Sequence, residues 1–464
     1  MNAASGSLSE RIRGPVITPG DDEYDAARAV YNAMHDRRPA AIVRPMDAAD
    51  VMAALDHARE RDLAVAVRGG SHSVPGYGTC DDGIVIDLSG MRNVRIDPDA
   101  RVARVGGGAL LGDLDHAGYP FGLATPLGFA STTGVAGLTL GGGIAAYLGR
   151  KHGLACDNLL SADMVTADGR QVTASEDENQ DLFWALRGGG GNFGVVTSME
   201  FRLHPVKDIV GGPIFFELEA AEDVMRFYRD YLKTAPRELG GFMGFQIAPP
   251  LPFIPEDRHG DTLFLVVTCW SGDPADAADV LDPIRAAGPV VAEHVDSMPY
   301  PVLQSAFDGL IPAGLHHYWK SDFVDKLTDE SLRVHIEHGA RVPSVNSTMH
   351  IYPLDGAPQE VDDDATAFGY RNADFAFTIV GMWPHPEQEE AHTAWVRDYY
   401  AAVHPYSGYE GGYTNFMAAD DQVRVRENYG PGYDRLVEIK GAWDPDNVFR
   451  LNQNIVPDAG RVDR

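Results

Sequence analysis

Residues 68–78 read RGGSHSVPGYG, and this segment constrains the chain more than any other. Gly69 and Gly70 reach positive φ at no steric cost and leave no Cβ in the way, so successive N–H groups can converge on an anion. The strand-like run LAVAVR feeds the turn, and Gly76 and Gly78 follow closely, which is more than an isolated tight turn requires. Arg68 and the hydroxyls of Ser71 and Ser73 are placed to add to such a site. His72 stands inside it with an imidazole able to act as base, metal ligand or nucleophile. No HxH or HxxE spacing surrounds His72, so no metal is expected.

The chain around this turn has 464 residues, too many for one ordinary core, and implies two or three domains. Its 44% apolar and 9% aromatic content is enough to fill them. A net charge of -30 opposes any sequence-independent grip on nucleic acid or on an anionic membrane, both of which need Lys/Arg surfaces. Three widely spaced cysteines, Cys80, Cys156 and Cys269, give neither a disulfide scaffold nor a zinc cluster. No run approaches the ~20 residues of a membrane span, and MNAASGSLSERIRGP lacks the apolar core of a signal peptide. The expectation is a cytoplasmic enzyme whose partner is a small molecule.

Along the chain, YDAARAVYNAMH places Ala27, Tyr31 and Met34 at helical spacing. AAIVRP reads as a strand, and DAADVMAALDHARERD as a helix with Asp47 and Asp50 at its N-terminus. The stretches GIVIDLSG, VRIDPD and ARVARVGGG suggest hairpins and bulges rather than parallel units. Two strands meet at Asp168–Gly169, and DLFWALRGGGGNFGVVTSMEFRLHP gives a helix, a glycine turn and an alternating strand. A boundary falls near Pro205. Beyond it, GPIFFELE, DTLFLVVTCW, NSTMHIYPLDG and ADFAFTIVGMW alternate with helices such as AEDVMRFYRDYLKT and EEAHTAWVRDYYAAV, the pattern of one broad antiparallel sheet backed by helices. The division is 1–205, 206–410 and a tail, 411–464, that returns to the first domain. The fold class is α+β.

Gly189, Gly191 and Gly194 match the dinucleotide pattern GxGxxG, but that fingerprint needs a strand before and a helix after. Here a helix precedes and VVTSMEFRL follows with strand alternation, so the match does not support an NAD-linked enzyme.

Taken together, RGGSHSVPGYG, GLTLGGG, RKHGLACDN, VTADG, DLFWALRGGGGNFGVVT, YTNF and DPDNVFRLNQNI resemble, in order and over nearly the whole chain, the vanillyl-alcohol oxidase superfamily. The branch they resemble is that of berberine bridge enzyme and 6-hydroxy-D-nicotine oxidase. The resemblance implies a two-subdomain PCMH-type FAD-binding domain plus a substrate domain whose sheet covers the cofactor.

It further implies FAD bonded through His72. Relatives that add a cysteinyl link carry cysteine where GFASTTGVAG has Ala130, so His72 is expected to be the single tether. The diphosphate cradle maps onto Arg68, Gly69, Gly70, Ser71, His72 and Ser73, with Gly78 close by. Ser131, Gly134, Gly137, Gly141 and Gly142 line the rest of the channel. Gly191, Asn192 and Val195 resemble positions near the adenosine, while Asn415, Asn452 and Asn454 resemble groups near the flavin or its ribityl chain.

For chemistry, the resemblance offers Tyr413 as proton acceptor, although a phenol with a pKa of ~10 must then be depressed or act in concert with hydride transfer. Alternation along NSTMHIYPLDG puts His350 and Tyr352 on one face and Met349 and Ile351 on the other, making the first pair candidates for substrate contact. Trp319 and Arg371 are weaker candidates, and Lys320 reads as half of a structural ion pair. The expected activity is an oxidase that takes hydride from a C–O or C–N bond and passes electrons to oxygen, giving hydrogen peroxide. A dehydrogenase, an oxidative-cyclisation enzyme and a non-catalytic flavin-binding protein stand as alternatives.

Overall fold

The computed structural model describes residues 7–458. The first six residues of the polar N-terminal stretch read above therefore lie outside the described residues. Within them, the architecture is α+β, built on three principal sheets and a two-stranded ribbon.

A small four-stranded sheet runs in the order Val16–Ile17, Ala41–Val43, Ile84–Asp87, Val65–Arg68. Ile84–Asp87 pairs in parallel with both Ala41–Val43 and Val65–Arg68, which corrects the expectation of hairpins here. The reason lies in the run IVID: each of its residues is buried, as in a parallel strand covered on both faces. The covering helix Ala48–Arg61 is capped by Asp47, whose carboxylate accepts from the Ala49 and Asp50 amides. The helix read over residues 24–35 is shorter than expected. It spans Tyr24–Arg28 and then Ala29 turns extended, which frees Tyr31 to stack on His72 instead of continuing a helical stripe.

The second sheet is antiparallel, in the order Val94–Asp97, Val102–Gly106, Val195–Arg202, Leu159–Val165, Gln171–Ser175. Its core takes in Phe183 and Trp184 from the helix Gln180–Leu186, and also Leu436, Ile439 and Ile455 from the tail. The tail is thus packed against this part of the molecule. Lys440 fastens it: the ammonium donates to the carbonyl of Asn192 at 2.7 Å and to Asp444 at 2.6 Å, with both side chains of the pair fully buried.

The third sheet is an eight-stranded antiparallel array. Its main path runs Val290–Glu293, Asp208–Phe216, Thr262–Trp270, Leu239–Ile247, Thr348–Pro353, Phe375–Trp383, His316–Val324. The helices Ala221–Leu232, Asp329–Gly339 and Glu389–Val403 cover one face, burying Met349, Ile351, Phe377 and Ile379 in a common core. The opposite face of the last three strands is turned toward the glycine segments and forms one wall of the site. No helix among the described residues is long and apolar enough to cross a membrane.

Candidate functional site

The turn after Val65–Arg68 is where the strand hands the chain to the site. Ser71 adopts φ +66, a left-handed conformation that a residue with a Cβ rarely holds. Its buried hydroxyl has no partner. The amides of Gly70, Ser71, His72 and Ser73 donate to no carbonyl or side chain among the described residues. Four consecutive free N–H groups on the wall of a cleft form a nest for an anion. Gly70 is needed for a second reason. A Cβ there would stand 2.2 Å from the Gly134 nitrogen, so the two glycine segments touch backbone to backbone.

The cleft runs from this turn past Gly128, Gly134 and Gly137 to Gly190, Gly191, Gly194 and Asn452. No atom lies within 4 Å of a Cβ placed on Gly137, so that helical glycine faces open space. His72 lies at one end, its Nε2 2.9 Å from the Thr132 hydroxyl and its ring stacked 3.8 Å from that of Tyr31. Burial lowers its pKa to about 4, which leaves the imidazole neutral, and its Nδ1 lies 3.4 Å from the Thr133 hydroxyl.

The facing wall comes from alternate residues of three strands: Trp319 from His316–Val324, then Thr348, His350 and Tyr352, then Thr378, Val380 and Met382. Period-two geometry delivers these to the cleft while sending Met349 and Ile351 to the helix-backed core, as the sequence pattern indicated. His350 Nδ1 lies 2.8 Å from the Tyr352 hydroxyl. Burial depresses the His350 pKa to about 3 and raises that of Tyr352 well above 10, so both are neutral near pH 7. Phe129 and Phe416 close the chamber beside them.

Several expected site residues are placed differently. The Arg68 guanidinium donates through its two terminal nitrogens to the carbonyls of Ala27 and Ala29 and to Asp87, which spends them on the fold, while its buried Nε has no partner. Ser131 is held by Asp308, which accepts from both its amide and its hydroxyl. Asn192 is fully buried and spends its amide on Gly189, Tyr429 and Gln453, locking the tail to the glycine turn. Val195 points into the core beneath the small sheet, and its neighbours Gly194 and Val196 line the cleft instead. Gly141 and Gly142 pack against Asn415 and Phe368 behind the wall, and Asn454 stands outside the lining. Arg371 pairs with Asp157, while Lys320 pairs with Asp420 and Asp421.

Tyr413 requires the largest correction. Its ring lines the cleft, but its oxygen accepts from the Gly143 and Ile144 amides at 2.9 and 3.1 Å and from Asn415 Nδ2 at 2.8 Å. Three donors occupy the lone pairs a base would use. Burial outweighs those hydrogen bonds and raises its pKa to about 12. The phenol therefore anchors the tail to the Gly143 turn.

Sequence reasoning missed Tyr31, Phe129, Thr378 and Phe416. Alternation along FAFTIVGMW pointed to Thr378, and Phe416 lies within YTNF, but nothing local marked Tyr31 or Phe129. Cys80, Cys156 and Cys269 are free, buried and absent from the lining, and Ala130 lies on it.

Four consecutive free amides, a neutral imidazole among them and a neutral His–Tyr pair thus line one cleft. Comparison with known proteins gives the family. An FAD binding domain matches residues 39–175, and a berberine and berberine-like domain matches residues 412–456. An FAD-linked oxidoreductase of Dictyostelium discoideum is 30% identical over 453 residues, covering 97% of this chain and 96% of that one. (R)-6-hydroxynicotine oxidase of Paenarthrobacter nicotinovorans is 31% identical over 461 residues, covering 96% and 97%. The crystal structure of 6-hydroxy-D-nicotine oxidase from Arthrobacter nicotinovorans superposes with a TM-score of 0.86 at 28% identity, covering 98% of this chain and 100% of that one. The chain belongs to the FAD-linked oxidoreductases of the berberine bridge enzyme-like branch of the vanillyl-alcohol oxidase superfamily.

Proposed function

We propose that the protein is an oxidase that removes hydride from a C–O or C–N bond of a small molecule, with oxygen as the final acceptor and hydrogen peroxide as product. The observation that carries this reading is the facing pair of sites on one cleft: free amides and a neutral His72 on one wall, His350 and Tyr352 on the other. Bound FAD supplies the hydride acceptor and relays the electrons.

The residues divide the remaining work. Gly70 to Ser73 would receive the diphosphate of FAD, and His72 would be its one covalent tether, a ring nitrogen replacing a hydrogen of a flavin methyl group, since Ala130 offers no second sulfur. In the tautomer that leaves Nε2 unprotonated, His350 donates Nδ1–H to the Tyr352 oxygen and takes the donor's proton on Nε2. An imidazole with a pKa of about 3 is a weak base, so it accepts that proton only as hydride leaves the same substrate. Phe129, Phe416 and the covering sheet exclude water from the chamber.

Acid precipitation tests the tether: yellow colour should stay in the pellet and be lost in His72→Ala. Colour wholly in the wild-type supernatant refutes the link. Anaerobic reduction followed by admission of oxygen tests the acceptor, since reoxidation slower than any turnover refutes the oxidase assignment in favour of a dehydrogenase or cyclising enzyme.

A further inference from the structure

We infer that Asp308 is a positioning residue for His72, acting through Ser131, and that the strap 305–315 on which it sits sets the imidazole for its bond to the flavin. This rests on the reading of His72 as the tether for its chemistry, and on the contacts around the ring for the role of the strap.

The edge of the ring is held by one short segment. Thr132 Oγ1 lies 2.9 Å from Nε2, and Thr133 Oγ1 lies 3.4 Å from Nδ1. Each hydroxyl can donate or accept, so together they fix the ring plane and select which nitrogen carries the proton. The segment is secured on its carbonyl side, where Ser131 and Thr133 accept from the Gly112 and Leu111 amides, both at 2.9 Å. On its other side Asp308 holds it. One carboxylate oxygen accepts from the Ser131 amide at 3.0 Å and the other accepts from the Ser131 hydroxyl. Among the described residues, these are the only hydrogen bonds that tie segment 128–133 to the strap or to the covering sheet.

The flat of the ring is held from the same strap. Tyr31, stacked on His72, donates its hydroxyl to the Ile311 carbonyl, and its own carbonyl accepts from the Gly314 amide at 3.1 Å. Ala33 donates to the Leu315 carbonyl at 2.9 Å. The strap thus grips both what lies on the face of the imidazole and what meets its edge. Gly309, Pro312, Ala313 and Gly314 are exposed, and a Cβ on either glycine meets nothing within 4 Å. With so little of it buried, the strap is kept in place by these few bonds and by Phe307, whose ring meets Phe129 edge-on. Forming the tether exchanges a methyl C–H of the flavin and the imidazole N–H for a C–N bond. Two protons go to solvent, and two electrons go to the flavin ring and on to oxygen. The chain's part is to aim the nitrogen, and an imidazole released from its threonines is aimed poorly.

The test uses protein produced in riboflavin-starved cells and then given FAD. Gel filtration reads bound flavin, and acid precipitation reads attached flavin against time. Heteronuclear NMR of labelled histidine, assigned with His72→Ala, reads the ring before FAD is added. Asp308→Ala and Ser131→Ala should bind FAD as the wild type does but attach it about tenfold to 10²-fold more slowly, the range for a misplaced reacting group. The double variant should be no slower than the slower single one, because both changes act on one path. Asp308→Asn can accept from the Ser131 amide and donate to its hydroxyl, so it should attach FAD at close to the wild-type rate. The His72 ring should show one tautomer in the wild type and an average of two in Asp308→Ala. Attachment at the wild-type rate in Asp308→Ala overturns the inference, as do additive slowing in the double variant, slowing matched by an equal loss of bound FAD, and an Asn variant as slow as the Ala one. A wild type that binds FAD but never attaches it refutes the tether instead. The ring signals then decide for Asp308 by themselves, and a signal unchanged in Asp308→Ala overturns its role.

Discussion

His350 Nδ1 and the Tyr352 hydroxyl lie 2.8 Å apart, two residues from each other on one strand face, on the same wall of the cleft as Trp319, Thr348 and Thr378. Because burial holds the imidazole near pKa 3, well below its usual 6.5, and raises the Tyr352 phenol well above 10, the pair stays neutral from about pH 5 to 9. The rate of flavin reduction should therefore show no inflection from this residue between pH 5 and 8. His350→Gln should slow reduction by about 10²–10⁴-fold in stopped-flow measurements, the range for loss of a positioned proton acceptor. An unchanged rate would remove His350 from the chemistry.

The glycines predict opposite effects at two positions. Gly70→Ala places a Cβ 2.2 Å from the Gly134 nitrogen, forcing two backbone segments apart, so both melting temperature and flavin content should fall. Gly137→Ala meets nothing within 4 Å and removes a helical glycine, which is worth about 1 kcal/mol to the flavin-free fold. Its methyl group enters the cofactor channel. The variant should melt higher without flavin yet retain less of it, as absorbance per protein would show.

Lys440 and Asp444 form a fully buried pair whose removal can be predicted by parts. Lys440→Met strands a carboxylate that also accepts from the Val448 and Phe449 amides, and should cost about 3–5 kcal/mol in denaturant unfolding. Changing both residues, Lys440→Met with Asp444→Leu, should recover part of that loss. A double variant no better than the single one would show that the hydrogen bonds of Asp444, not its charge, hold the tail.

Asp115 is buried on the helix Leu111–Gly118 with neither oxygen partnered, and burial raises its pKa to about 8. The sign follows from linkage. Well below pH 4 the carboxyl is protonated in both folded and unfolded chains and carries no ionisation penalty. As pH rises toward 8 only the unfolded chain ionises, so stability is lost across that window at about 1.4 kcal/mol per pKa unit at most. Asp115→Asn keeps the shape of the protonated acid. Its stability relative to the wild type should be pH-independent below about pH 3, rise between pH 4 and 8, and level off above that.

Much of this was written locally. The turn at Gly69–Ser73, the alternation that separates His350 and Tyr352 from Met349 and Ile351, and the strand after Gly194 that defeats the GxGxxG match all follow from short-range stereochemistry. The broad covering sheet was legible for the same reason, from four of its strands. The strands Leu239–Ile247 and His316–Val324 were not, because the first carries three glycines and the second two histidines and a lysine, which blur the hydrophobic pattern.

What the sequence determined alone is the menu of backbone conformations: which glycines can nest an anion, which residues share a strand face, and that Ala130 brings no thiol. Only the tertiary structure decided where the polar groups are spent. Arg68 lies in the cradle motif, yet it is claimed by Asp87 and two carbonyls some 20 to 40 residues away in sequence. Tyr413 lies in the motif that suggested a base, yet its oxygen is filled by amides about 270 residues distant. A hydrogen-bonding group takes the partners its buried surroundings supply, and those partners come from distant parts of the chain that meet only on folding.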